Sequence, residues 1–168
     1  ESNSPYASAV LLVGKKTGDK VMCGLNKITV KDRYPLPHIE DQLSRLAGHR
    51  VFTNLDLFAA YHQVPMSDEC IRYTSFVTQD GHYEYLRMPF GLCNAPAVFQ
   101  QMINGVLGEL RSSKVLCYLD DILIPAPSLE QSLAVLREVL DIFKKTGLTQ
   151  TKQMFLLTPG NPISGVHN

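Results

Sequence analysis

At 168 residues and 45% hydrophobic, the chain can bury one sizeable core. Its 16 basic and 16 acidic residues cancel to a formal net charge of +0, which counts against an autonomous nucleic-acid binder acting through charge excess. No run of about 18 apolar residues predicts a membrane span, no basic segment leads into an apolar core as in a signal peptide, and Cys23, Cys70, Cys93 and Cys117 lack C-x-x-C spacing, so reduced thiols are expected rather than zinc ligands.

Val10–Val13 and Lys20–Cys23 read as a short hairpin turning at Lys-Thr-Gly-Asp. Residues 1–35 hold six basic residues (Lys15, Lys16, Lys20, Lys27, Lys31, Arg33) against three acidic ones (Glu1, Asp19, Asp32). A solvated basic face and a phosphate-contacting surface both fit that excess. Pro35 and Pro37 make an extended link. Ile39, Leu43 and Leu46 have helical spacing, with Gly48 as the stop. Val51–Leu57 reads as a strand. Ile71–Thr78 and His82–Leu86 read as strands around Gln79-Asp80-Gly81.

Asn94 can cap a helix with Pro96 in its first turn and Phe99, Met102 or Ile103, Val106 and Leu110 on its apolar face. Val115–Cys117 and Ile122–Ile124 can form the arms of a hairpin with Tyr118–Asp121 at its tip. Ser128 and Gln131 form a capping box. The helix it opens carries Leu129, Leu133, Leu136, Leu140 and Phe143 as its apolar stripe and ends at Gly147. Leu148–Leu157 is the last predicted strand, because the prolines and glycines beyond Thr158 disfavour another. Hairpins interleaved with long helices predict an α+β fold, an antiparallel sheet backed by helices on one face and open to substrate on the other. No linker divides the chain.

The chemistry concentrates on aspartates. Asp120 and Asp121 lie inside the apolar run Val115–Ile124, and Asp56 inside Val51–Leu57. Burying adjacent like charges is unfavourable unless something neutralises them, and a divalent metal is the usual answer. An Asp-Asp pair is also a common turn, and a tight bend beside Asp56 accommodates both readings. Tyr61 reads on its own as an ordinary half-buried tyrosine. Phe90 is either a core residue or exposed by a Pro89-Phe90-Gly91 turn. His62 and Gln63 are assigned no chemistry, because nothing nearby completes a nucleophile or zinc set.

The run YLDDIL (Tyr118–Leu123) resembles the central motif of reverse transcriptases. LDLFAAYHQV (Leu55–Val64) resembles their first aspartate motif, and GHYEYLRMPFGLCNAPAVFQ (Gly81–Gln100) the segment between the two. KDRYPLPHIEDQLSRLAG (Lys31–Gly48) and SPYASAVLLVGKK (Ser4–Lys16) are similar to the upstream part in gypsy-like LTR retrotransposons. Five motifs in the family's order, from Ser4 to Phe155, are specific where any one alone is not.

The resemblance implies a polymerase palm with part of the fingers. Residues 4–31 would be partial fingers, residues 32–157 palm with fingers insertions, and residues 158–168 an irregular tail. It implies RNA-directed DNA synthesis by two-metal nucleotidyl transfer. Asp56, Asp120 and Asp121 would be catalytic, and with the Leu57 backbone would hold two Mg²⁺ ions, which Mn²⁺ can replace. Tyr61, Phe90, Gly91, Lys15, Lys16 and Lys152 would contact the nucleotide, Tyr61 packing under the sugar so that a 2′-hydroxyl clashes. Gln100, Tyr118 and Leu119 would face template or primer. The implied partners are an RNA or DNA template with its primer, deoxynucleoside triphosphates, and the thumb, RNase H and integrase parts of a polyprotein. The implied setting is intracellular, in a cytoplasmic element particle, with no membrane.

Two departures from the family pattern stand out. Lys20–Lys27 reads K-V-M-C-G-L-N-K, about four residues shorter than expected, with Val21 where the pattern has a triphosphate-gripping arginine. The thumb, connection and RNase H segments and the primer-holding turn are also missing from these residues. A catalytically impaired remnant that keeps the fold is therefore the alternative to a working polymerase core.

Overall fold

A computed structural model describes residues 1–9, 23–158 and 161–163. The elements are β1 (Ser8–Ala9), α1 (Cys23–Asn26), α2 (Ile39–Ser44), β2 (Val51–Leu57), α3 (Asp68–Ile71), β3 (Phe76–Thr78), β4 (Gly81–Tyr83), α4 (Ala95–Leu107), α5 (Leu110–Ser113), β5 (Leu116–Tyr118), β6 (Asp121–Ala126), α6 (Leu129–Thr146), β7 (Gln150–Thr158) and β8 (Asn161–Ile163). Short 3₁₀ turns occupy Ala60–Gln63 and Arg72–Thr74. The expected hairpin over Val10–Val13 and Lys20–Cys23 lies outside the described residues except for Cys23, which begins α1. The chain forms two compact units, each built from two separate segments.

The first unit comprises Glu1–Arg33 and Ala59–Phe99. Its sheet has the order β1-β3-β4, with β1 parallel to β3 and β4 antiparallel to it. The expected long strand from Ile71 shortens to Phe76–Thr78. The Ser67 carbonyl instead accepts from the N–H groups of Cys70 and Ile71, at 2.8 and 3.2 Å, and Asp68 and Glu69 suit the positive end of the helical turn this starts. The Asn94 side chain ties down the preceding chain: its Nδ2 donates to the Val30 carbonyl at 2.8 Å, and its Oδ1 accepts from the Asp32 N–H at 3.0 Å.

The second unit comprises Tyr34–Phe58 and Gln100–Asn168. Its five-stranded sheet has the order β5-β6-β2-β7-β8, every neighbouring pair antiparallel. β2 alternates as expected: Val51, Thr53, Leu55 and Leu57 are buried, while Phe52, Asn54 and Asp56 are only half-buried. Ile122, Ile124 and Ala126 of β6 share the buried face. α6 packs on that face against β2 and β6.

The stripe α6 buries is rotated from the leucine pattern. Ser132, Leu136, Val139 and Phe143 are buried, whereas Leu129 and Leu133 are 48% and 42% exposed. The buried hydroxyls of Thr53 and Ser132 meet at 2.8 Å, so a small polar pair joins helix and strand. The Ser128 hydroxyl caps α6 by accepting from the Gln131 N–H at 3.3 Å, and Gly147, at φ 74°, ends it.

α4 runs from Ala95 to Leu107 and buries Phe99, Ile103 and Leu107, each contributing about 1.5–3 kcal/mol of hydrophobic stabilisation. It stops before Leu110 because Gly108 adopts φ 52°. The chain beyond Thr158 also departs from expectation. Asn161–Ile163 pairs with β7 (Thr158↔Asn161, Leu157↔Pro162, Leu156↔Ile163). Proline is tolerated there because β8 is an edge strand, where one side of the backbone needs no partner.

Candidate active site

The aspartates converge at one end of the five-stranded sheet. Asp56 of β2 is the direct cross-strand partner of Asp121, the first residue of β6. Tyr118 pairs with Asp121 across β5 and β6, so Leu119 and Asp120 form a two-residue hairpin loop. The Leu57 N–H donates to the Asp120 carbonyl at 3.1 Å, fastening the loop to β2. Beyond this point the β2–β7 register shifts between Leu55 and Leu57, and the Phe58 N–H donates to the Thr149 carbonyl at 3.2 Å.

The alternation of β2 puts Asp56 on the face opposite α6, and the register puts Asp121 on that same face. Asp120 and Asp121 are exposed rather than buried, so the apolar run around them is interrupted by a bend that returns the charges to water. Asp56 is half-buried. Its carboxyl is held above the ordinary aspartate range, first by burial and then by the negative charges of Asp120 and Asp121.

The bend is strained. Leu119 adopts φ 54°, a left-handed conformation that costs a non-glycine residue about 1–2 kcal/mol. Its N–H donates to Oε1 of Gln100 at 2.8 Å, and its carbonyl accepts a long contact, 3.7 Å, from the Cys117 thiol. Gln100 has no exposed surface. Its amide is turned inward, on the hairpin. Burial also pushes the Cys117 thiol up to about 12, which keeps it a neutral core group.

The open face continues into a groove of about 390 Å³ lined by Ile39, Leu43, Leu46, Asn54, Tyr118 and Asp121, among others. The apolar residues of α2, Ile39 and Leu43, thus face a cavity and stay 60% and 58% exposed.

Of the expected nucleotide contacts, the first unit holds Tyr61, Phe90 and Gly91. The Tyr61 ring lies 5.1 Å from that of Phe90 and 5.7 Å from that of Phe99. His62 meets Phe90 edge-on at 4.9 Å, an aromatic packing role. Gly91 adopts φ 92°, so the Pro89-Phe90-Gly91 segment does turn. Asn26 clamps it: Nδ2 donates to the Gly91 carbonyl at 2.6 Å, and Oδ1 accepts from the Cys93 N–H at 2.9 Å. Sequence reading missed Asn26, because nothing local signals a partner 65 residues away. Lys15 and Lys16 lie outside the described residues, as does the side chain of Lys152.

Among the described residues no three His, Cys, Asp or Glu side chains gather tightly enough to hold a metal ion as they stand. The donor set nonetheless fits a hard divalent cation in kind: three carboxylates, oxygen ligands only, at one strand end and repelling one another. The same set does not suit a soft metal, and the buried Cys117 is no part of it.

A family model described as reverse transcriptase (RNA-dependent DNA polymerase) matches residues 16–153. The chain belongs to the reverse transcriptase family. It is 46% identical over 142 residues to a retrovirus-related Pol polyprotein from transposon 297 of Drosophila melanogaster, covering 79% of this chain and 13% of that protein. It is 40% identical over 156 residues to the corresponding polyprotein from transposon opus of the same fly, covering 88% of this chain and 16% of that protein. It is also 40% identical over 152 residues to the transposon Tf2-3 polyprotein of Schizosaccharomyces pombe, covering 88% of this chain and 11% of that protein. The chain thus spans less than a fifth of the length of these retrotransposon relatives. In fold it is similar to the foamy viral protease-reverse transcriptase in complex with an RNA/DNA hybrid, with TM-score 0.81 and 19% identity over 94% of this chain and 23% of that one. No helix among the described residues is long and apolar enough to cross a membrane.

Proposed function

We propose that this chain is the palm, with part of the fingers, of an RNA-directed DNA polymerase from an LTR retrotransposon polyprotein. The observation that carries the reading is the direct opposition of Asp56 and Asp121 with Asp120 at the adjoining bend, all three at one end of an open sheet face. Residues 4–31 are partial fingers and residues 32–157 the palm with its fingers insertions.

Asp56, Asp120, Asp121 and the Leu57 backbone would hold two Mg²⁺ ions, or Mn²⁺ in their place. When bound, such ions neutralise charge on the attacking and leaving oxygens of an in-line phosphoryl displacement. The chain's own residues supply the frame. The β2–β6 ladder sets the spacing of Asp56 and Asp121, and the Leu57–Asp120 hydrogen bond fixes the loop against β2. Tyr61, braced by Phe90 and Phe99, presents a flat apolar surface suited to a deoxyribose, with Gly91 beside Phe90. Tyr118 and Leu119 contact template or primer at the hairpin. Lys15, Lys16 and Lys152 take phosphate roles. The partners are a primed RNA or DNA template, deoxynucleoside triphosphates and the polyprotein segments beyond these residues, in an intracellular particle.

A second reading, an impaired remnant that keeps the fold, is favoured by the shortened Lys20–Lys27 segment with Val21 in place of arginine. Losing one charge-assisted phosphate contact costs about 1.5–3 kcal/mol, roughly ten- to a hundred-fold in affinity or rate. Primer extension on an RNA template with Mg²⁺ separates the readings. The polymerase reading expects extension from a longer polypeptide carrying this chain and a family thumb, abolished by Asp120→Asn. The remnant reading expects none until the fingers residues and an arginine at Val21 are restored. A repaired, folded polypeptide that still fails to extend would refute the palm assignment.

A further inference from the structure

We propose that Gln100, oriented by Asn104 and Tyr34, is a positioning residue that holds the Leu119–Asp120 bend in the conformation from which the aspartates are presented. The inference rests on the polymerase reading for its functional consequence, and on a hydrogen-bond relay for its structural content.

A two-residue hairpin loop needs positive φ, and glycine, asparagine or aspartate usually supplies it. Here the first loop position is Leu119, at φ 54°. Leucine has no side-chain oxygen with which to stabilise that conformation locally, so the stabilisation must come from elsewhere. Its N–H points away from the ladder and donates to Gln100 Oε1 at 2.8 Å.

Gln100 lies on α4, where its neighbours Phe99 and Ile103 are fully buried. A wholly buried glutamine there is unfavourable unless its amide is satisfied at both ends. It is: Nε2 donates to Asn104 Oδ1 at 3.0 Å and makes a 3.9 Å contact with the Cys117 sulfur. Asn104 Nδ2 in turn donates to the Tyr34 hydroxyl at 2.9 Å. Gln100 and Asn104 are four residues apart on one helix face, so the helix itself aligns them. Because Nε2 is committed to Asn104, the amide is fixed with Oε1 toward Leu119. The relay runs from Tyr34 through Asn104 and Gln100 to the residue preceding Asp120, and no member of it is a carboxylate. Outer groups of this kind typically alter metal affinity or activity by about 10–100-fold when removed.

The experiment compares Gln100→Met, which keeps volume and removes the acceptor, with Gln100→Met/Leu119→Gly, in which glycine adopts the left-handed conformation without help. The first readout is hydrogen exchange at the residue 119 amide in this chain. It requires neither metal nor activity. The second is Mn²⁺ affinity, and the third is kcat against KM for nucleotide in the longer polypeptide. Gln100→Met should speed exchange at Leu119 by about tenfold or more, with other sheet amides unchanged. It should weaken Mn²⁺ binding about tenfold and lower kcat with little change in KM. The double variant should regain most of the Mn²⁺ affinity, which needs no template or primer contact by residue 119 and which repair of a merely unstable fold would not produce.

If Gln100→Met fails to fold, Asn104→Leu leaves Gln100 in place but removes the partner that orients it, and the same three shifts are expected in smaller measure. A folded variant with unaltered exchange at Leu119 would overturn the relay. Altered exchange with unaltered Mn²⁺ affinity and kcat would overturn its functional role. Failure of the parent polypeptide itself to bind Mn²⁺ or extend a primer would strike the polymerase reading instead, and the exchange measurement would still decide the relay.

Discussion

Asp56 and Asp121 stand directly opposite each other across the β2–β6 ladder, on the sheet face that α6 leaves open. Like charges in that position destabilise an antiparallel pair. The fold tolerates them at one end of an otherwise well-packed sheet, which is where a stability rule is expected to yield to a function.

The pH dependence follows from the raised Asp56 carboxyl. A group whose folded value lies above its unfolded one contributes stability at low pH and loses it as pH rises through the folded value. The metal-free chain should therefore lose stability on this account as pH rises from about 4 through the raised Asp56 value. Asp56→Asn removes that loss, so its Tm in a chelating buffer should exceed the parent's at neutral pH and converge with it in acid. A constant Tm difference across the range would contradict the argument.

Divalent ions should act in the opposite sense. Mn²⁺ at a hundred times its Kd would stabilise the chain by about 2.7 kcal/mol, visible as a rise in Tm. Asp120→Asn should lose most of that rise. An undiminished rise in the variant would place the ion elsewhere.

Thr53 and Ser132 form a buried hydroxyl pair between β2 and α6. Thr53→Val leaves the Ser132 hydroxyl without this partner and should cost about 1–3 kcal/mol in urea unfolding. Adding Ser132→Ala removes the orphaned group, so the double variant should be no less stable than Thr53→Val alone. Strictly additive losses would show that the pair is not coupled.

Tyr61 packs against Phe90 and Phe99 through its ring, and neither ring contact depends on the hydroxyl. Tyr61→Phe should therefore preserve the preference for deoxyribonucleotides in the longer polypeptide. Tyr61→Val should lower the kcat/KM ratio of deoxyribo- to ribonucleotide by about tenfold or more, the scale on which a pocket senses a small group. Equal discrimination by both variants would remove Tyr61 from the sugar site.

Much of the fold was legible because its signals are local. The period-two pattern of Val51–Leu57, the Ser128 cap and the Gly147 stop each depend on residues within a turn or two of one another, and each appears where expected. The Asp120-Asp121 bend was legible as an interruption of an apolar run. The leucine count of α6 was misleading: period marks a helix but not which neighbouring stripe meets the sheet, and the stripe that does so includes Ser132, bonded to Thr53.

By itself the sequence determined the family, the α+β class and the three aspartates as the place to look, because motif order and residue chemistry need no coordinates. Only the tertiary structure decided that Asp56 faces Asp121, that Gln100 is turned inward on Leu119 rather than outward, that Asn26 clamps the Gly91 turn, and that Asn161–Ile163 completes the sheet as its edge. The physical reason is range. Propensity and periodicity act over a few residues, whereas strand register and the partner of a buried amide are set by packing between segments 19 to 65 residues apart in the hydrogen bonds of Gln100 and Asn26.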